Sequence, residues 1–180
     1  MSWRTVNTET ILNTDFVTVK KDKVELPDGA VIEDFYTVGI QDAAMVAALT
    51  PEGDIILKNE YRHACGCDVI ECPAGMFEPG EEPLEVAKRE LLEGTGYTSG
   101  EWTYLGPTLE STSKLTNKMH LFLAKDCIKA GEQHLDRFER INLIKVPLQK
   151  AVDMVMSGEI NANSSAHLIL KVARLVEEKI

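Results

Sequence analysis

The chain has 180 residues, 44% of them hydrophobic, and a formal net charge of -10 at pH 7. This length predicts a single domain over residues 1–180 with one sizeable core. The negative charge argues against nucleic acid or an anionic membrane as the main partner, because proteins that bind such polyanions usually present a basic face.

The N-terminal residues 1–16 contain no apolar core of signal-peptide length. No later stretch approaches the roughly 18 continuous apolar residues of a membrane helix. We therefore expect a cytoplasmic protein. The four cysteines are few and unevenly spaced, which is unlike the disulfide framework of a small secreted module, so free thiols are expected.

Two hairpins are predicted in the first half of the chain. β-branched and aromatic residues flank the turn signal Pro27-Asp28-Gly29, which predicts pairing of residues 11–26 with residues 30–40. A second turn signal, Pro51-Glu52-Gly53-Asp54, lies between AAMVAALT and IILKNEYR. Both of these strands are apolar enough to lie in the core.

A helix is predicted from Pro83 to Thr95. Leu84, Ala87 and Leu91 recur at the spacing of one helical face. Proline suits the first turn of a helix, and glycines at 94 and 96 suit its end.

The remaining segments predict three strands and two closing helices. The strands are EWTYLGPTL, MHLFLAKD and INLIKVP. The helices are LQKAVDMVMSG, ended by Gly158, and NSSAHLILKVARLVEEK, capped by Asn163 or Ser164. Antiparallel hairpins with a few packed helices indicate an α+β fold.

The predicted helix over residues 83–95 carries a dense set of carboxylates. Glu90, Glu93 and position 94 would project from one side of it. Like charges at this spacing repel, and hard divalent cations such as Mg²⁺ or Mn²⁺ favour oxygen ligands of this kind. A solvated acidic face is the simpler interpretation, but it does not require the adjacent apolar stripe or the glycine at each end.

Residues 75–97, GMFEPGEEPLEVAKRELLEGTGY, resemble the Nudix box, G-x5-E-x7-R-E-U-x-E-E-x-G-U, where U is aliphatic or aromatic. Gly94 stands where the second glutamate of the E-E pair is expected. The positions that match in register are Gly75, Glu81, Arg89, Glu90, Leu91, Glu93, Gly96 and Tyr97.

Flanking segments resemble the ADP-ribose or ADP-sugar pyrophosphatase branch of this family. Lys58-Asn59-Glu60-Tyr61-Arg62 is similar to its E-Q-Y-R strand, and VIECPAG is similar to its E-L-P-A-G entry to the box. The resemblance implies the Nudix fold, a mixed β-sheet between helices, and a homodimer to which residues 1–40 contribute. It also implies cleavage of the diphosphate bond of a nucleoside diphosphate sugar such as ADP-ribose, giving a nucleoside monophosphate and a sugar phosphate.

The same resemblance assigns roles to individual residues. The Ala74 carbonyl, Glu90 and Glu93 would bind Mg²⁺, with Mn²⁺ as a substitute, and Arg89 would orient a neighbouring glutamate. Glu81 is expected to support the helix start or an outer-shell water. The implied catalytic set is Glu93, Arg89 and Glu139, with Glu139 as general base, and the substrate-binding set is Arg62 and Glu71. Alternatively, Glu139 is a surface acid paired with Arg137 or Arg140, and Arg62 forms an ordinary salt bridge.

Two departures keep other functions open. Gly94 removes one carboxylate, and the segment from Glu110 to Lys118 lacks the family's S-P-G-x-S-x-E loop, although Glu110 could replace the missing ligand. One alternative is a non-catalytic or weakly active Nudix domain that binds a nucleotide or a protein. Another is a zinc module built from His63, Cys65, Cys67 and Cys72, whose spacing differs from paired C-x-x-C knuckles.

Overall fold

The computed structural model describes residues 2–177, and strands and helices are both present, which confirms the predicted α+β class. The helices are α1 (Pro83–Thr95), α2 (Leu148–Ser157) and α3 (Asn163–Glu177). The strands are β1 (Arg4–Asn13), β2 (Thr18–Glu25), β3 (Val31–Gly39), β4 (Ala43–Leu49), β5 (Asp54–Arg62), β6 (Cys67–Glu71), β7 (Ala74–Met76), β8 (Tyr97–Thr98), β9 (Glu101–Leu109), β10 (Lys118–Lys125), β11 (Ile128–Lys129) and β12 (Ile141–Pro147).

The chain divides into two compact units. The first consists of the residues up to Asp42 together with Leu109–Lys118, and the second of Ala43–Thr108 and the residues from Met119 onward. No helix among residues 2–177 is long and apolar enough to cross a bilayer.

The first unit contains an antiparallel sheet in the order β1-β2-β3. The predicted turn at Pro27-Asp28-Gly29 is present, and Gly29 adopts a φ of 83°. Strand β1 was not predicted, and the segment taken as one strand, residues 11–26, is interrupted by a turn in which the Thr14 N–H donates to the Val17 carbonyl at 3.0 Å. All ten residues of β1 are exposed, so this strand lacks the apolar alternation that identifies a half-buried strand.

The second unit contains a mixed sheet in the order β12-β5-β4-β10-β9, with β6 paired to β5 and β7 paired to β4. Strand β4 runs parallel to β10 and antiparallel to β5. Alternate residues of β4 face opposite layers: Met45 and Ala47 pack in the cluster that includes α2 and α3, and Ala44 and Val46 pack in the cluster that includes α1. This arrangement explains why β4 is buried along its whole length. It also confirms the predicted sheet between helices.

Helix α1 begins and ends as predicted. Pro83 occupies its first turn, and Gly96, with a φ of 75°, caps its end by donating its N–H to the Leu92 carbonyl at 2.7 Å. Its buried residues include Val86 and Leu91, each of which contributes roughly 1.5–3 kcal/mol on full burial. Burial of this face fixes the helix on the sheet and leaves its acidic side outside the hydrophobic core.

Candidate active site

The acidic side of α1 faces a cavity of about 210 Å³ in the second unit. Strand β5 and the segment before β12 complete its wall. Five carboxylates and two cationic side chains line it, so its electrostatic potential is negative unless cations enter. The lining residues are Lys58, Pro73, Ala74, Glu78, Arg89, Glu90, Glu93, Gly94, His134, Asp136, Glu139 and Ile141.

Arg89 connects the acids of this region through one guanidinium group. Its Nε and Nη2 donate to the two carboxylate oxygens of Glu81 at 2.9 and 2.8 Å. Its Nη1 donates to Glu90 at 2.6 Å and, more weakly, to Glu93 at 3.4 Å. These hydrogen bonds from Arg89 lower the pKa of Glu81 to about 2, and the same contacts raise the pKa of Arg89. Arg89 thus contacts three glutamates, and its orienting role stays a prediction.

Glu81 also holds the segment that enters the helix. Its Oε2 accepts the Glu78 N–H at 2.8 Å, while Arg89 Nη2 donates to the Met76 carbonyl at 3.0 Å. Glu81 does not line the cavity, and its supporting role stays a prediction.

Glu90 lies where a side chain on residue 75 would otherwise be. A Cβ atom built on Gly75 would lie 1.9 Å from Glu90 Cδ and 2.0 Å from Oε1. Glycine is therefore required at position 75 by close packing, independently of its backbone angles. Burial raises the pKa of Glu90, an effect that the positive charges of Arg89 and Lys58 partly offset.

A chain of ion pairs runs along one face of β5 and reaches β6. Lys58 Nζ lies 3.2 Å from Glu60 Oε2, and Arg62 Nη2 lies 3.3 Å from the same oxygen. Arg62 also donates from Nε and Nη2 to Glu71 Oε2 at 2.9 and 2.7 Å. Burial opposes the charge on Arg62, but its bonds with Glu71 and the nearby acids raise its pKa overall.

Arg62 and Glu71, predicted to bind substrate, therefore lie together but outside the cavity lining. Lys58 does line the cavity, and its side chain is only 6% exposed. Lys58 was not predicted as a site residue. Its signal was the alternation of charged residues at 58, 60 and 62 directly after the apolar run Ile55-Ile56-Leu57.

The predicted general base, Glu139, lies in the segment between β11 and β12. Its Oε2 accepts the Asp136 N–H at 3.0 Å, and its own N–H donates to the Asp136 carbonyl at 3.0 Å. Arg140 donates to the carbonyls of Arg137 and Glu139. In the described part of the chain no ion pair joins Glu139 to either arginine, so the surface-pair alternative has no support.

This segment is fixed to the end of α1, which brings its polar residues to the cavity. The His134 N–H donates to the Glu93 carbonyl at 2.9 Å, and Gln133 Nε2 donates to the Gly94 carbonyl at 2.9 Å. His134 and Asp136 were not predicted as lining residues. Their place depends on these contacts between segments distant in sequence, for which no local pattern exists.

The missing side chain at position 94 leaves open space. A Cβ atom on Gly94 would meet no atom within 4 Å, and this residue lines the cavity. Glu110, considered as a replacement ligand, is absent from the lining. Across residues 2–177, no three histidine, cysteine, aspartate or glutamate side chains converge as a metal-binding group. His63, Cys65, Cys67 and Cys72 are among these described residues, so the zinc alternative has no support in the structure.

Oxygen donors nevertheless remain in the cavity. Glu90 and Glu93 supply carboxylates, and Ala74 lies beside them in the lining. Hard divalent ions such as Mg²⁺ and Mn²⁺ prefer oxygen ligands and often complete their coordination with water and substrate phosphates. The residues present therefore fit such an ion, with fewer protein ligands than the complete box would offer.

Comparison with known proteins resolves the family. The NUDIX domain matches residues 39–160, and the nucleoside diphosphate sugar hydrolase N-terminal domain matches residues 3–38. The chain belongs to the Nudix family. The predicted resemblance is thus confirmed, and this Nudix protein is a pyrophosphohydrolase.

Similar proteins carry more than one description. ADP-ribose pyrophosphatase of Bacillus subtilis is 32% identical over 92% of this chain and 90% of its own length. Methanol dehydrogenase activator of Bacillus methanolicus is also 32% identical, over 87% of this chain and 85% of its own. A crystal structure of ADP compounds hydrolase has the same fold, with a TM-score of 0.85 and 21% identity over 99% of this chain and 96% of that one.

Proposed function

We propose that this Nudix protein hydrolyses the diphosphate bond of a nucleoside diphosphate sugar such as ADP-ribose, releasing a nucleoside monophosphate and a sugar phosphate. The observation that carries the proposal is that Arg89 holds Glu81, Glu90 and Glu93 together, and that Glu90 and Glu93 line one acidic cavity. The N-terminal match to nucleoside diphosphate sugar hydrolases and the similarity to an ADP-ribose pyrophosphatase support the substrate class.

The Ala74 carbonyl, Glu90 and Glu93 would hold Mg²⁺ or Mn²⁺ in this cavity. When bound, such an ion neutralises charge on the diphosphate. Arg89 keeps the two carboxylates in place, since its Nη1 contacts both. Lys58 adds a fixed positive charge to the same wall, which reduces repulsion between the carboxylates and an incoming diphosphate.

Glu139 is proposed to accept the proton of the attacking water. The water oxygen forms a bond to one phosphorus, the bridging P–O bond breaks, and the second phosphate group leaves with the bridging oxygen. The hydrogen bond from the Asp136 N–H holds one Glu139 oxygen and leaves the other available for this proton. Arg62, held by Glu71, is proposed to contact the substrate.

A second candidate function is binding of another protein, with only weak hydrolysis. The similarity to methanol dehydrogenase activator favours it, because that protein is described by its effect on another enzyme. Gly94 also favours it, since the cavity lacks one acid of the family's box.

The test is a panel of nucleoside diphosphate sugars, dinucleoside polyphosphates and nucleoside triphosphates assayed with Mg²⁺ and with Mn²⁺. We expect ADP-ribose or another nucleoside diphosphate sugar to be cleaved, and Glu90→Gln to abolish nearly all of that activity. Glu85→Gln is the matched control, because Glu85 lies on the same helix but pairs with Lys88 at 2.8 Å outside the cavity lining. Only weak cleavage of every substrate with both metals would favour the second function.

A further inference from the structure

Two thiols lie at the surface where the turn after β5 enters β6. Cys65 and Cys67 are exposed, whereas Cys72 and Cys127 are buried, with 0% and 2% of their surface accessible. Only Gly66 separates the exposed pair. Because oxidation of a thiol requires access from solvent, the exposed pair is the part of the cysteine set that an oxidant in solution can reach.

The spacing of Cys65 and Cys67 and the turned backbone at Gly66 are compatible with a disulfide between them. Consecutive Cα atoms are 3.8 Å apart, so the Cα atoms of Cys65 and Cys67 are separated by at most about 7 Å, and a turned residue between them shortens this toward the ~4.4–6.8 Å of disulfides. Gly66 is such a residue, with a φ of 68°. A Cβ atom on Gly66 would meet nothing within 4 Å, so the turn has room to adjust.

The same turn is attached to Arg62. The N–H groups of Cys65 and Gly66 both donate to the Arg62 carbonyl at 2.9 Å. Cys67 pairs directly with Arg62 across the two strands. Paired residues share a face of the sheet, with Cβ atoms about 4.5–5.5 Å apart. The Cys67 side chain therefore neighbours the side chain that Glu71 and Glu60 hold in place.

We propose that Cys65 and Cys67 form a redox-active thiol pair, which a hydroperoxide oxidises to a disulfide across Gly66, and that this change displaces Arg62. In the first step one thiol sulfur attacks a peroxide oxygen, the O–O bond breaks, and a sulfenic acid and one water or alcohol form. In the second step the other thiol displaces the sulfenic hydroxyl as water, and the S–S bond forms. The two sulfurs are oxidised and the hydroperoxide is reduced.

The disulfide acts on Arg62 through the turn. Closing the bond constrains residues 65–67, and the hydrogen bonds to the Arg62 carbonyl must adjust with them. This part rests on the proposed function, in which Arg62 contacts the substrate. We expect the oxidised protein to show a KM for ADP-ribose raised about three- to tenfold, the change that follows from weakening one hydrogen bond, with little change in kcat.

The first test measures the chemistry alone. The reduced full-length protein is treated with a small excess of hydrogen peroxide, denatured, alkylated and analysed by peptide mass spectrometry. The expected product is a single peptide that carries both Cys65 and Cys67, lacks two hydrogen atoms and resists alkylation, while Cys72 and Cys127 are alkylated. In Cys65→Ser and Cys67→Ser the remaining thiol should instead be trapped as a sulfenic acid by dimedone. Formation of only sulfinic acids or intermolecular disulfides would overturn the thiol pair.

The second test measures the effect on Arg62. KM and kcat are compared before and after oxidation in the native protein, in Cys127→Ala, which keeps the pair, and in the Cys65→Ser/Cys67→Ser double variant, which lacks it. Oxidation should raise KM in the native protein and in Cys127→Ala, and it should leave KM unchanged in the double variant. Amide hydrogen exchange of residues 62–67 measures the coupling between the disulfide and Arg62 without an activity assay. It therefore remains decisive if the proposed hydrolysis fails. Unchanged exchange and unchanged KM in the disulfide form would overturn the coupling while leaving the thiol pair intact.

Discussion

The carboxyl group of Glu90 occupies the space that the absent side chain of Gly75 leaves on strand β7. A methyl group at position 75 would overlap Glu90 Cδ, since the separation from a Cβ there is 1.9 Å. The strand and the helix thus determine together where this carboxylate points. Metal affinity and activity should therefore depend on Gly75, although glycine has no side chain that could bind the metal.

Gly75→Ala is expected to displace Glu90 and to lower activity and metal affinity by about 10- to 100-fold, the range typical of residues that orient metal ligands. Mn²⁺ binding measured by electron paramagnetic resonance gives a readout independent of turnover. Gly100→Ala is the control, because a Cβ at that exposed position meets no atom within 4 Å. Equal metal affinity in the two variants would show that Glu90 does not need this space.

Gly94→Glu should strengthen metal binding. The cavity has room at this position, since a Cβ there meets nothing within 4 Å, and a third carboxylate would join Glu90 and Glu93 on the same helix. We expect a lower metal concentration for half-maximal activity. Gly94→Gln has nearly the same size without the charge, so it separates electrostatics from helix propensity, which alone favours any replacement of glycine by roughly 0.5–1 kcal/mol. An unchanged metal requirement would indicate that another group already serves as the ligand.

The ion pair between Glu81 and Arg89 should make stability depend on pH in the acid range. Hydrogen bonds from Arg89 lower the pKa of Glu81 from 4.5 to about 2. Between these values the unfolded chain holds a proton that the folded protein does not, so the contribution of Glu81 is complete above 4.5 and is lost as the pH falls toward 2. The Tm difference between the native protein and Glu81→Gln should therefore be largest at neutral pH and should shrink at pH values below 4.5. A difference that stays constant with pH would contradict this assignment.

The sequence predicted those parts of the molecule in which local pattern and final packing agree. The hairpins at Gly29 and Gly53 each place a turn glycine between two segments of strand-forming residues, and the helix from Pro83 to Thr95 combines end residues with a regular apolar period. Strand β1 lacks that period because its residues are exposed, so its pairing with β2 depends on the partner strand.

The candidate site also contains some residues that local sequence predicts and others that it does not. Arg89, Glu90 and Glu93 share one helix, so their spacing alone places them together. Lys58 and Asp136 reach the cavity through sheet register and loop contacts, which no short stretch of sequence encodes. Glu139 was assigned by family alignment, and the structure places it in the cavity lining.

Lys58→Met is expected to change the charge balance of the cavity with little change in its volume. The positive charge of Lys58 partly offsets the raised pKa that burial gives Glu90. Without that charge the pKa of Glu90 should rise further, so the acidic limb of the pH–rate profile should move to higher pH. Lys145→Met is the control, because Lys145 lies on the neighbouring strand β12 but pairs with Asp54 at 3.6 Å outside the cavity lining. An acidic limb at the same pH in Lys58→Met and in Lys145→Met would show that Lys58 does not act on Glu90.

Glu139→Gln tests the proposed general base. Glutamine keeps the size of the side chain and an oxygen that can accept the Asp136 N–H, but it cannot take a proton from water. We expect kcat to fall by about 10²- to 10⁴-fold, the usual contribution of a general base, while KM and Mn²⁺ affinity change little. Glu132→Gln is the matched control from the same segment, since its side chain is 91% exposed and lies outside the cavity lining. A parallel loss of Mn²⁺ affinity in Glu139→Gln would instead identify Glu139 as a metal ligand. A kcat close to that of Glu132→Gln would show that another acid is the general base. Asp136, which lines the same cavity, would then be the first candidate.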